Sequence, residues 1–209
     1  MTVTPRARLA LRYAQAIPVL MTACAVDPSA KTAFEARIRQ LQRLGVPARD
    51  AARSAGRLDY GVVELAALAT AIRLMAAFMV PSLASRHVIE RWATFAPILL
   101  AGARAAIPES YLARRPLGDA TGILIEASAL AELGRQGKHD ERYAGALGGM
   151  TAVSASTLAD AVQEYQGTGL ILDATGFMPA LIEGFVEATT ATEQELANEL
   201  DGLRFSERR

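Results

Sequence analysis

DYGVVELAALATAIRLMAAFM, Asp59–Met79, decides the fold class of this chain. Leu65, Leu68, Ile72, Met75 and Met79 recur at three- and four-residue spacing and mark one helical face, while Leu74 and Phe78 occupy another. That period predicts an α-helix, and a helix apolar nearly all round belongs in the centre of a protein, where neighbours cover every side. Asp59 stands where an N-cap is expected, and Pro81 closes the segment.

Upstream of it, Asp27-Pro28 reads as an N-cap followed by proline at the first helical position. It opens a helix through Phe34, Ile38 and Leu41 that Gly45 stops. An alanine-rich helix is expected from about Ala48 to Ala55, ending at Gly56. Downstream, Ser82 or Ser85 can cap a helix through Val88, Trp92, Phe95 and Leu99, with Pro97 kinking or splitting it. Pro108 and Pro116 bracket a connector. A helix is expected over residues 118–133 from Ile123, Leu124, Ala127 and Leu130, another around Leu158–Tyr165, and a long one over about Pro179–Leu203. Leu170-Ile171-Leu172 is the one strand candidate, too short for a sheet by itself.

These elements predict an all-α, multi-helix globular bundle of about seven to nine helices around a buried central helix, built as one domain over residues 1–209. The chain has 209 residues, 51% of them hydrophobic but only 6% aromatic, so the apolar mass is mainly aliphatic and suits closely approaching helices. The longest uncharged stretch, Tyr143–Ala159, is rich in Gly, Ser and Thr and falls short of the about 18–20 apolar residues of a membrane span. Arg12 and Pro18 interrupt the apolar run that follows Arg6 and Arg8, which argues against a signal peptide. Cys24 is the one cysteine, so no disulfide forms within the chain, and a soluble, cytoplasmic protein is expected.

The formal net charge of zero conceals two opposed halves. Residues 1–57 hold ten basic side chains against Asp27, Glu35 and Asp50; residues 58–138 are mixed; after Lys138 twelve carboxylates face four arginines. The halves can attract one another within a subunit or between neighbours. Arg39 and Arg43 on one expected helix, and Arg49, Arg53 and Arg57 on the next, recur at four-residue spacing and stack like charges on a face. Such rows are either a solvated, self-paired surface or a clamp for phosphates or carboxylates. Residues 46–63 also have some features of a helix-turn-helix, with Ala52, Gly56 and Val62 or Val63 in the small, turn and anchor positions. Leu58 falls one residue late for that motif, and the following helix is too apolar to read bases, so nucleic acid is a weakly supported partner.

His87 and Glu90 form the one histidine–carboxylate pair at contact spacing on a helix, with Arg86 and Arg91 beside them. Two histidines and one cysteine are too few for a zinc site, and a second Glu-x-x-His helix for a di-iron site is missing, so no metal or cofactor is expected. The glycine runs Gly145–Gly149 and Gly167–Gly169 lack the spacing of phosphate-binding loops. The preferred expectation is a non-catalytic helical partner-binding or regulatory protein. Its basic N-terminal face, Arg39, Arg43, Arg49, Arg53 and Arg57, would meet an acidic protein, and its apolar surplus would drive homo-oligomerisation. The alternatives are a small-ligand-binding regulator with a pocket among Met75, Phe78, His87, Trp92 and Phe95, or an enzyme using His87 and Glu90 on an anionic substrate.

Overall fold

The computed structural model describes residues 9–47, 59–126, 147–165 and 169–205. The expected Ala48–Ala55 helix, Arg49, Arg53, Arg57 and the centre of the helix-turn-helix candidate lie outside them. In chain order the α-helices are α1 (Tyr13–Ala23), α2 (Lys31–Arg43), α3 (Val62–Ala76), α4 (Pro81–Glu90), α5 (Trp92–Gly102) and α6 (Glu109–Arg114). Strands β1 (Gly122–Glu126) and β2 (Met150–Val153), helix α7 (Leu158–Tyr165), strand β3 (Gly169–Asp173), and helices α8 (Met178–Thr189) and α9 (Glu193–Phe205) follow.

The helix in Asp59–Met79 is α3, and its central place is as expected. Val62, Leu65 to Ile72 and Leu74 are all buried, with α1, α2, α4, α8 and α9 packed around them. Its cap differs from the expectation. Asp59 is exposed, and the first turn is closed at Gly61, whose N–H donates to Glu64 Oε2 at 3.0 Å, the backward half of a capping box. Helix α2 buries Phe34, Ile38 and Leu41, preceded by Asp27, whose carboxylate accepts from Ser29 N at 2.7 Å. Gly45 at φ +92 ends it in the left-handed region that glycine enters without a Cβ penalty.

Two boundaries move. The break between α4 and α5 falls at Arg91; Pro97 lies within α5, where it and Ala93, whose carbonyl loses its partner, are exposed to water. The expected long C-terminal helix is divided at Thr190, which is left-handed at φ 53. Thr192 then caps α9, Glu195 accepting from its N–H at 3.0 Å and its hydroxyl at 2.8 Å.

The helix expected over residues 118–133 is not formed at Gly122–Glu126, which is the middle strand of a three-stranded antiparallel sheet in the order β2-β1-β3. A strand with both faces covered reads as a continuous apolar run, Ile123-Leu124-Ile125 here, and periodicity cannot separate that from a buried helical turn. The strand candidate Leu170–Leu172 is the core of β3, where Leu172 opposes Ile123 and Ile171 opposes Leu124. Ile123, Ile125 and Leu172 join the helical core, while Leu124 lies on the outer face of the sheet, over which α7 packs. The sheet is held against the helices by a close approach. A Cβ at Gly102, the last residue of α5, would stand 2.4 Å from Ala174 Cβ just past β3. The result is a mostly-α globular fold, a helical bundle with a small sheet on its flank, whose contiguous apolar core runs from Leu11 to Leu203.

Candidate functional site

Helix α2 is amphipathic because its three buried residues fall at four- and three-residue spacing, leaving Lys31, Arg37, Arg39 and Arg43 on the exposed side. Their partners are local. Arg37 donates to Gln40 at 2.7 Å, Arg39 meets Glu35 at 3.5 Å within the same helix, and Arg43 Nε reaches the Arg39 carbonyl at 3.4 Å. The inner side is fixed by Gln42, which donates to the Tyr60 hydroxyl, and by Tyr13, whose ring lies 6.2 Å from that of Tyr60. Burial raises the Tyr13 phenol above its usual range, with Arg39 opposing. Helix α2 packs on α1, α3 and α4, and no ion pair joins it to the carboxylates of α8 and α9 among the described residues.

The end of α4 continues this surface. Ile89, 44% exposed, lies against Gly45, with its Cδ1 3.4 Å from where a Cβ would stand. Arg86 pairs with Glu90 at 2.6 Å, and Arg91 is exposed one residue beyond. His87 is fully buried in the core side of α4 while Glu90 is in solvent beside Arg86, so the helix divides the pair between interior and surface. The pocket candidates are likewise dispersed. Phe95 is completely buried and Met75 and Trp92 half-buried, whereas Phe78 is 97% exposed on the left-handed turn after α3 and lines no enclosed space.

A cleft that the sequence does not announce lies between α6 and α9, about 220 Å³ in volume, lined by Tyr111, Arg114, Arg115, Glu193 and Gln194 among others. Most of its polar groups are already engaged. Arg115 binds Asp201 at 3.0 Å and stacks 5.2 Å from the Tyr111 ring, and Ser110 donates to Glu193 at 2.9 Å. Tyr111 is raised by burial and by Asp201 beside it. The volume is below the roughly 300–1,000 Å³ of ordinary small-molecule sites. The only hint in the sequence is the Arg114-Arg115 pair, which gains meaning once α9 is placed opposite.

Cys24 is buried, and burial pushes its thiol up to about 12, Arg73 opposing, so it is not a ready nucleophile near neutral pH. No grouping of three metal-ligating side chains occurs among the described residues, and no helix there is long and apolar enough to cross a membrane.

The fold and its surfaces thus define a mostly-α protein with a basic face on α2 and an acidic C-terminal part. The chain matches no protein-family profile, no curated protein sequence and no solved structure at a significant level.

Proposed function

We propose that this is a non-catalytic, partner-binding helical protein whose α2 face docks an acidic protein surface. The observation that carries the reading is the set of exposed basic residues on α2, Lys31, Arg37, Arg39 and Arg43, whose one carboxylate partner among the described residues is Glu35 on the same helix. Arginine suits this role because its planar fork pairs with carboxylates in two-point geometry and sheds water more readily than lysine. A charged face of this kind steers approach and selects partners of opposite sign.

Anisotropy of a fluorescent poly-glutamate peptide tests it. The wild-type chain binds the peptide at low ionic strength, and R37E/R39E/R43E weakens binding by at least roughly tenfold. Equal affinity of the two proteins, or affinity insensitive to salt, refutes the assignment; preference for a nucleic-acid oligomer over poly-glutamate replaces the acidic partner with a nucleic acid.

A further inference from the structure

Strand β3 ends the sheet, and its outer edge is open. Ala174 N donates to the Thr121 carbonyl at 2.9 Å, and bonding in an antiparallel ladder alternates residue by residue. Leu172 and Leu170 therefore bond to Ile123 and Ile125, their partners in the register, while Gly169, Ile171 and Asp173 direct their backbone groups away from β1. The other side of β1 agrees. Glu126 N donates to the Gly149 carbonyl at 3.1 Å, so the residues of β1 that do not serve β3 serve β2. Gly169, Ile171 and Asp173 are all exposed, Ile171 by 44%, and β1 is the one element packed closely on β3 among the described residues.

Edge strands are normally guarded by lysine or proline, by a bulge, or by an element laid over them. Gly169-Leu-Ile-Leu-Asp173 has no basic residue and no proline, and its pairing with β1 runs without a bulge. Its one charge is turned aside, the Asp173 carboxylate accepting from Thr175 N at 2.9 Å and from the Thr175 hydroxyl at 2.7 Å. The opposite edge of the sheet is shorter. On β2 the outward amides are those of Met150 and Ala152, and the next in that row, Ser154 N, is already bonded to the Thr157 hydroxyl at 2.9 Å.

We infer that β3 pairs edge to edge with β3 of a second copy of this chain, antiparallel about a two-fold axis at Ile171, which joins the two sheets into one. The register selects this occupant. The outward residues Gly169, Ile171 and Asp173 are symmetric about the middle one, so a two-fold copy sets each of them opposite another. Ile171 and its copy exchange both hydrogen bonds, and their exposed side chains meet as a cross-strand pair. Asp173 falls opposite Gly169 of the second copy, and its N–H donates to that glycine's carbonyl. No carboxylate then faces a carboxylate, and no side chain crowds the outer pairs. Such an isologous contact closes at the dimer. It uses neither α2 nor its arginines, so it goes beyond the reading of that face and does not depend on it.

Sedimentation velocity of the full chain over a rising concentration series tests the pairing, with Ile171→Pro and Ile171→Lys each first matched to the wild type by circular dichroism and melting temperature. Because the Ile171 N–H takes no part in the ladder to β1, proline there removes only the outward donor. The wild type dimerises with a Kd on the order of 10–100 μM, in keeping with a contact at the small end of the interface range, and each variant weakens it at least roughly tenfold. A second measurement does not rely on those variants. In a Cys24→Ala background, Ile171→Cys oxidises to a disulfide dimer, since the Cα atoms of a hydrogen-bonded antiparallel pair stand about 5.5 Å apart, within the span of a disulfide. Val162→Cys, at an equally exposed position on α7, crosslinks far more slowly. A monomeric wild type, assembly beyond the dimer, a variant that dimerises like the wild type, or Ile171→Cys crosslinking no faster than Val162→Cys overturns the inference. If the monomer instead binds a fluorescent alternating Thr-Val peptide, self-pairing falls and the edge belongs to an extended peptide partner.

Discussion

The guanidinium of Arg73 lies 5.6 Å from the centre of the Phe177 ring and donates to the Ala23 carbonyl at 2.9 Å and the Gly176 carbonyl at 3.2 Å. One side chain of the central helix thus ties the last turn of α1 to the turn that precedes α8. Hydrogen bonds to a charged donor contribute about 1.5–3 kcal/mol, and the partly exposed position argues for the lower end. Arg73→Met keeps the stem and removes the donors. Urea unfolding is expected to show a loss of about 2 kcal/mol; an unchanged midpoint would make the bridge ornamental.

Gly102 separates two opposing effects. In an open helix end, glycine to alanine gains up to about 1 kcal/mol from propensity. Here the added methyl meets Ala174 Cβ at 2.4 Å and its carbonyl carbon at 2.7 Å, so Gly102→Ala is expected to cost about 1–3 kcal/mol instead. The sign of the shift in thermal midpoint decides between them.

The buried Cys24 thiol makes stability depend on pH in the alkaline range. Its folded value is raised to about 12 from the usual 9.0, so the folded state holds the proton that the unfolded chain releases. The contribution is complete below pH 9, falls as pH rises from there, and is lost by about 12. Unfolding of the wild type and Cys24→Ala at pH 7.5 and 10.5 should show the shallower pH dependence in the variant, and a disulfide reagent should label native Cys24 far more slowly than denatured protein.

Thr192 and Glu195 close the first turn of α9. Removing the hydroxyl in Thr192→Ala is expected to lower stability by about 1 kcal/mol, with Thr192→Ser retaining most of it. Equal midpoints for the three proteins would contradict the capping role.

The helices were legible where apolar spacing was long and regular. Leu65 to Ile72 mark a central helix, and Phe34, Ile38 and Leu41 mark the inner side of α2, because burial on a helix leaves a periodic trace. Phe78 misleads for the same reason. Its four-residue spacing from Leu74 places it on the helix only if the helix reaches it, and the chain has already left the helix after Ala76 and turned left-handed. The Thr192-Glu193-Gln194-Glu195 capping box was a readable stop between α8 and α9 that the apolar pattern overrode. Strand β1 was not readable locally, since its identity comes from β2 and β3, tens of residues away in sequence.

As for the site, the basic character of α2 was visible in Arg39 and Arg43. The separation of His87 from Glu90, and the cleft at Arg114 and Arg115, depend on which neighbours a helix acquires, and single-helix spacing carries none of that.

Helix α3, so thoroughly enclosed in the finished protein, takes part of its cover from α8 and α9, which are made last. At about 5–20 residues per second, the ribosome needs roughly 6–23 s to travel from Ala76 to Glu193. For most of that interval this central helix has, of its final neighbours, only α1, α2 and α4 to shield it. Synthesis, rather than the finished fold, is when this sequence is most exposed to aggregation and most in need of a chaperone.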